Sequence, residues 1–260
     1  MSSTQARVIA IANPKGGCGK TTTAINLGAF LADMNRKVLL IDLDPQCNAS
    51  IGLGIKPHLL SLSACDLFND TETSVSEVIY RTSLLNLEVV PAKSSLIDVE
   101  SKLRTQKGAG LILRKKLKPV TSKYNYILLD CNPSLGVLTL NALASSKEVI
   151  IPVQTQFYAL RGLTQLLNLI NTVKEKANPE LSIVRVLATM YDVRTNLSHY
   201  ILEELQKHFK DRLFSTIIPV STKLAEAPSG GLPINKYAPD SKGAVAYKQL
   251  AEEVISLEEK

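Results

Sequence analysis

Ten residues constrain this chain more than any others: Asn13-Pro14-Lys15-Gly16-Gly17-Cys18-Gly19-Lys20-Thr21-Thr22, set between an apolar run at 8–12 and a helical pattern at 22–34. Gly16, Gly17 and Gly19 let the backbone turn tightly enough for successive N–H groups to face one anion. The helix that follows brings its unsatisfied N–H groups and the positive end of its dipole to the same point. Lys20 is placed to reach the β and γ oxygens of a nucleoside triphosphate, and the Thr21 hydroxyl to complete the shell of a Mg2+ ion. A glycine-rich turn that binds nothing is the alternative. A strand, three glycines, Lys-Thr and a helix in that order argue against it.

The rest of the chain repeats the same alternation. Apolar runs at 37–41, 87–90, 126–129, 149–153 and 183–188 read as strands, with 215–218 a weaker candidate. They are continuous and not alternating, which suits strands covered on both faces. Helical patterns lie between them at 96–117, 135–145, 159–175, 196–210 and 243–257. The expected fold is α/β: a doubly wound, mostly parallel sheet with helices on both faces. Glycine- and proline-rich breaks at 52–57 and 228–239 do not read as linkers, and residues 1–260 are read as a single domain.

Hydrophobic residues make up 45% of the chain, enough for a sizeable core, yet no run is long enough to span a bilayer. The short polar segment before the first strand leaves no room for a signal peptide. Cys18, Cys47, Cys65 and Cys131 are too dispersed for a C-x-x-C pattern and read as packed thiols of a cytoplasmic protein. The net charge of +6 permits a polyanionic partner without requiring one. Eight basic and no acidic residues fall between Ser101 and Lys123, most simply a solvated helix face.

Asp42 and Asp44 end one apolar run, with Leu43 turned to the opposite face, and Asp130 ends another. Acids at the carboxyl ends of strands in an open sheet point into the crevice where ligands bind. A cap or turn role is the alternative for each taken alone.

The loop departs from G-x-x-x-x-G-K-[ST], because Pro14 stands at the first glycine and Lys15 is added. Lys15-Gly16-Gly17-Cys18-Gly19-Lys20-Thr21 resembles the deviant Walker A loop of the ParA/Soj partitioning ATPases. Ile41-Asp42-Leu43-Asp44-Pro45-Gln46 is similar to the second acidic motif of that family. Tyr126-Ile127-Leu128-Leu129-Asp130-Cys131 resembles its Walker B strand, and Pro133-Ser134-Leu135-Gly136 its switch segment. Pro152-Val153-Gln154, Ala159-Leu160-Arg161-Gly162-Leu163 and Glu226-Ala227-Pro228-Ser229 carry the likeness over nearly the whole chain. The resemblance implies a P-loop NTPase fold and slow, partner-stimulated hydrolysis of ATP with Mg2+. It implies that residues 15–22 bind ATP, that Lys15 reaches across a dimer interface to the other subunit's phosphates, and that Asp44 positions the attacking water. It places Thr21, Asp42 and Asp130 around Mg2+, and Pro219 and Ser221 near the base. Nonspecific double-stranded DNA is the implied partner, contacted through Arg194, Lys223, Lys236, Lys242 and Lys248. So are nucleoid association, an ATP-dependent homodimer and a ParB-like or other cargo-adaptor protein.

Some residues depart from the pattern. Asn132-Pro133 stands where the family often has two prolines. Ile218-Pro219-Val220-Ser221-Thr222-Lys223 stands where it commonly reads I-P-R-N-x-R, so Val220 and Ser221 replace its Arg and Asn and Lys223 its second Arg. A MinD-like membrane-cycling ATPase is the alternative. It needs a basic amphipathic C-terminus, whereas residues 252–260 (Glu-Glu-Val-Ile-Ser-Leu-Glu-Glu-Lys) are acidic and repelled by anionic lipid, so no membrane partner is expected. An iron–sulfur reductase of the same loop class is disfavoured, because Cys131 directly follows the Walker B Asp.

Overall fold

The computed structural model describes residues 5–157 and 162–257. Its strands are β1 (Arg7–Ile11), β2 (Val38–Leu43), β3 (Tyr80–Arg81), β4 (Leu87–Val90), β5 (Tyr126–Cys131), β6 (Glu148–Gln154) and β7 (Ile183–Thr189). They form one sheet in the order β3-β4-β2-β5-β1-β6-β7, parallel throughout except for the edge strand β3. The helices, in chain order, are α1 (Lys20–Asp33), α2 (Asn48–Gly52), α3 (Ala64–Asn69), α4 (Leu96–Leu103), α5 (Ile112–Leu117), α6 (Val137–Ser145), α7 (Leu163–Lys176), α8 (Asn196–Phe209), α9 (Thr222–Glu226), α10 (Ile234–Tyr237) and α11 (Lys242–Ser256).

Strand pleating divides the apolar runs between two cores. Ile9, Ile11, Leu40, Val89, Leu128 and Leu187 pack with residues of α1, α2 and α9–α11. Ala10, Leu39, Ile41, Leu129, Ile151 and Val186 pack with α3–α8 on the other face. Both faces are covered, so the strands have no polar side. Gly28 of α1 lets that helix lie close on the sheet, since a Cβ there would meet Leu128 and Leu87 methyls at 3.3 and 3.4 Å.

Two expectations are corrected. The helix expected over 96–117 is broken, because α4 ends at Leu103 and a short 3-10 turn at Ala109–Leu111 precedes α5. Gly108 takes φ +76°, and a Cβ on Gly110 would strike Leu140 of α6. Asn141 of α6 fixes the turn, accepting from Leu113 N and donating to Ala109 O. The run at 215–218 is not a strand. Phe214 and Ile218 bond to β7, but the Ser215 and Thr216 amides turn away to the Glu253 carboxylate. The expected helix at 159–175 is observed as α7 from Leu163, and the Ala159-Leu160-Arg161 part of that motif lies outside the described residues.

Candidate phosphate-binding site

Central strand β1 lies between β5 and β6, and in register Ile11 stands beside Asp130, which stands beside Asp42 of β2. The loop leaving β1 therefore shares one edge of the sheet with two acidic strand ends. Asn13 fixes the start of the loop, donating to Pro152 O at 2.7 Å and accepting from Lys15 N at 2.9 Å. Gly17 and Gly19 have φ +71° and +93°, a region that favours glycine. Thr189, the last residue of β7, donates to Cys18 O at 2.8 Å and anchors the far limb.

Lys20 is buried and its ammonium donates to Lys15 O at 3.1 Å, the carbonyl that also accepts from Cys18 Sγ. The side chain thus folds back on its own loop, within reach of an anion placed there. Cys18 is packed beneath the loop, and burial pushes its thiol pKa up. Only its backbone is available to a ligand. Gly16, Gly17, Gly19, Lys20, Thr21 and Thr22 line a crevice that Asp44 and Pro133 also enter.

The three acids differ sharply. Asp42 is fully buried and its oxygens are engaged: Oδ1 accepts from Asp44 N, and Oδ2 from Ser50 N and Ser50 Oγ. Burial is the main cause that raises its pKa to about 6, against those hydrogen bonds. Through these bonds Asp42 fixes the turn that carries Asp44. Asp44 opens onto the crevice, with Oδ1 accepting from Gln46 N at 2.9 Å. Asp130 is fully buried, and neither of its oxygens meets the distance and angle of a hydrogen bond. Burial pushes its pKa well above the carboxylate range and Asp42 pushes the same way, while the nearby Thr21 hydroxyl and Lys20 ammonium oppose them. An unpartnered buried carboxylate beside a hydroxyl at the mouth of a phosphate loop suits a divalent cation. Among the described residues there is no cluster of three acidic, His or Cys side chains that could hold a metal.

Met190, Leu224, Ala225 and Pro228 form the far wall of the crevice. Pro219 bridges to Tyr191, and Ser221 is the residue before α9. Neither lines the crevice. Met190 has φ +52°, which turns it toward the loop, and no sequence signal marks that position. The proposed DNA residues are all exposed. Arg194 is held by Asp192 through two bonds of 2.9 and 2.7 Å, Lys223 pairs with Glu226 at 2.8 Å, and Lys236 with Asp33 at 3.3 Å. A backbone bond from Val220 N to Tyr191 O puts the Arg194 and Lys223 segments side by side. Lys242 and Lys248 lie on α11. Two of the eight cations at 101–123 are structural: Arg114 donates to Ala177 O, and Lys116 donates to the carbonyls of Asp70, Thr71 and Thr73.

Fold and loop together define a nucleotide-binding protein of the phosphate-loop class, and the AAA domain family model matches residues 6–183. The sporulation initiation inhibitor protein Soj of Bacillus subtilis (strain 168) is 46% identical over 250 residues, covering 96% of this chain and 98% of its own. The chromosome partitioning protein ParA of Myxococcus xanthus (strain DK1622) is 45% identical over 253 residues, covering 97% and 89%. The chain belongs to the Soj/ParA family. Among solved structures, cobyrinic acid a,c-diamide synthase of Mycobacterium smegmatis, with a bound ATP analog and magnesium, is similar at TM-score 0.84 and 32% identity over 98% of this chain and 96% of its own. The cell division ATPase MinD of Pyrococcus furiosus is similar at TM-score 0.78 and 28% identity over 97% and 99%.

Proposed function

We propose that the chain is a partitioning ATPase that binds Mg·ATP on residues 15–22, dimerises around it, and in that state binds DNA without regard to sequence. The observation that carries this reading is the meeting of the Lys15–Thr22 loop with Asp44 and the unpartnered Asp130 carboxylate at neighbouring strand ends. Lys20 exchanges the Lys15 carbonyl for phosphate oxygens, and the Gly16–Gly19 amides hold the same group. Thr21 and Asp130 are the residues that would hold Mg2+, which neutralises charge on the phosphates. Asp44, its other oxygen left over after the Gln46 bond, orients the attacking water. Lys15, outside the ordinary pattern, is assigned to the second subunit's phosphates. The chromosome partitioning names of relatives support a chromosome as the cargo; a plasmid or other cargo fits the same chemistry, and a ParB-like or other adaptor is the partner proposed to stimulate release.

The likeness to MinD keeps a membrane-cycling reading in view. Against it, Tyr247, Leu250 and Val254 of α11 are buried in the α1 core, although Val245 is exposed. No helix among the described residues is long and apolar enough to cross a membrane.

DNA co-sedimentation with ATP, ADP or no nucleotide at two salt concentrations tests the proposal. ATP-dependent, salt-sensitive binding is expected, and none at low salt sinks the DNA assignment. In the same assay Arg194→Glu weakens binding alike on every sequence, because phosphate contacts carry no base information. It also lowers the slope of log affinity against log salt by about one unit for each DNA phosphate that is no longer neutralised. Exposed ion pairs such as Arg194–Asp192 contribute little, so DNA phosphates can displace the carboxylate. Lys115→Glu with Lys118→Glu is the control, since Lys116 is structural. If that pair abolishes binding while Arg194→Glu does not, the DNA surface lies on the 101–123 segment.

A further inference from the structure

Glu100 of α4 reaches the segment that follows β5. Its Oε1 accepts from Ser134 Oγ at 3.2 Å and its Oε2 from Asn132 Nδ2 at 3.5 Å. Asn132 Oδ1 lies 3.2 Å from both Ser134 Oγ and Thr139 Oγ1, and Thr139 Oγ1 donates to Ser134 O at 2.6 Å. Ser134 has one hydroxyl proton to divide between Glu100 and Asn132, so the carboxylate and the amide oxygen hold it from two sides. Ser134 Oγ in turn accepts from Gly136 N at 3.3 Å. Side chains tie the segment to α4, and the Thr139 hydroxyl together with a backbone bond from Leu140 N to Gly136 O ties it to α6.

Gly136 carries a second, independent sign. Its backbone, at φ −84° and ψ −165°, is open to any residue, so no turn requires glycine there. A Cβ at that position would instead collide with Glu100 Oε1. Glycine at 136 is what allows the carboxylate to come so close. Asn132 is buried two residues beyond Asp130, whereas Pro133 and Ser134 are exposed and Pro133 stands in the phosphate crevice. An exposed segment with so little burial depends on its hydrogen bonds for its shape.

We infer that Glu100 is a positioning residue for ATP hydrolysis: its carboxylate latches residues 132–136 and thereby sets Pro133 against the bound phosphates. The inference rests on the ATPase reading of the site. It also gives Asn132 a task, because a proline at that position would have no amide to offer Glu100.

The test uses the full chain and three variants. Glu100→Ala removes the latch. Gly136→Ala displaces the flexible end of the Glu100 side chain while leaving the backbone conformation allowed. Each is expected to slow ATP turnover about tenfold, the scale of a small misplacement near reacting groups, with ATP affinity within about twofold of wild type. Because both break one contact, the double variant is no slower than either single one. Glu100→Gln keeps an oxygen acceptor for Ser134 and retains at least about half the turnover. Hydrogen exchange of the amides of Asn132, Ser134, Leu135 and residue 136 in nucleotide-free protein is expected to speed up in Glu100→Ala and in Gly136→Ala. Wild-type turnover in Glu100→Ala, multiplicative losses in the double variant, or unchanged exchange overturns the latch. Absence of ATP hydrolysis in the wild type overturns the ATPase reading instead, and the exchange measurement still decides whether Glu100 holds the segment.

Discussion

Lys20→Ala abolishes measurable ATP binding in a fluorescent-nucleotide titration. The ammonium is buried, and its one hydrogen bond is to the Lys15 carbonyl of the loop that must receive the phosphates. Removing the charged partner of a desolvated phosphate costs about 2–5 kcal/mol, or roughly 30-fold to several-thousandfold in affinity. The stability cost is smaller, because the bond to Lys15 O is worth about 1 kcal/mol. A large drop in affinity with a nearly unchanged melting temperature therefore separates a binding role from a packing role. Unchanged ATP affinity sinks the assignment of the loop.

Asp44→Ala keeps ATP binding and stops turnover, with a loss on the order of a hundredfold to ten-thousandfold if Asp44 orients the water as a general base would. Light scattering on a sizing column should then show an ATP-bound dimer that persists. Asp44 also accepts from Gln46 N, so a local structural role needs its own control. Asp44→Asn keeps that acceptor and removes the charge. It should be as inactive as Asp44→Ala, and recovery of wild-type turnover by the asparagine variant refutes the catalytic role.

The loop and the strand ends that flank it are legible in the sequence because their signals are local. Glycines, Lys-Thr and the following helix sit within ten residues, and the runs ending at Asp42 and Asp130 are uninterrupted. What separates those two carboxylates is not local. Both sit on the α1 side of the sheet, but Asp42 meets Ser50 from the α2 turn and Asp130 meets no such donor. The break in the 96–117 pattern depends on Leu140 and Asn141 of α6, which no periodicity within 96–117 reports. The far wall of the crevice is not local either. Pro219 is bridged to Tyr191, and Leu224 and Ala225, a few residues further on, line the crevice opposite the loop. Some carboxylate partners were readable. Asp192 lies two residues before Arg194 and Glu226 three after Lys223, whereas Asp33 is far from Lys236 in sequence.

The place of β1 at the centre of the sheet has a consequence for synthesis on the ribosome. Ile9 emerges long before its two neighbours across the ladder, Leu128 and Glu148. For more than a hundred residues of elongation, β1 and the loop behind it have no flanking strands, and α1 has little sheet to cover. Closing such long loops before any contact repays them is slow. The phosphate loop is thus translated early and shaped late, and a nascent chain halted before β5 exposes the apolar runs of β1 and β2 without a site to show for them.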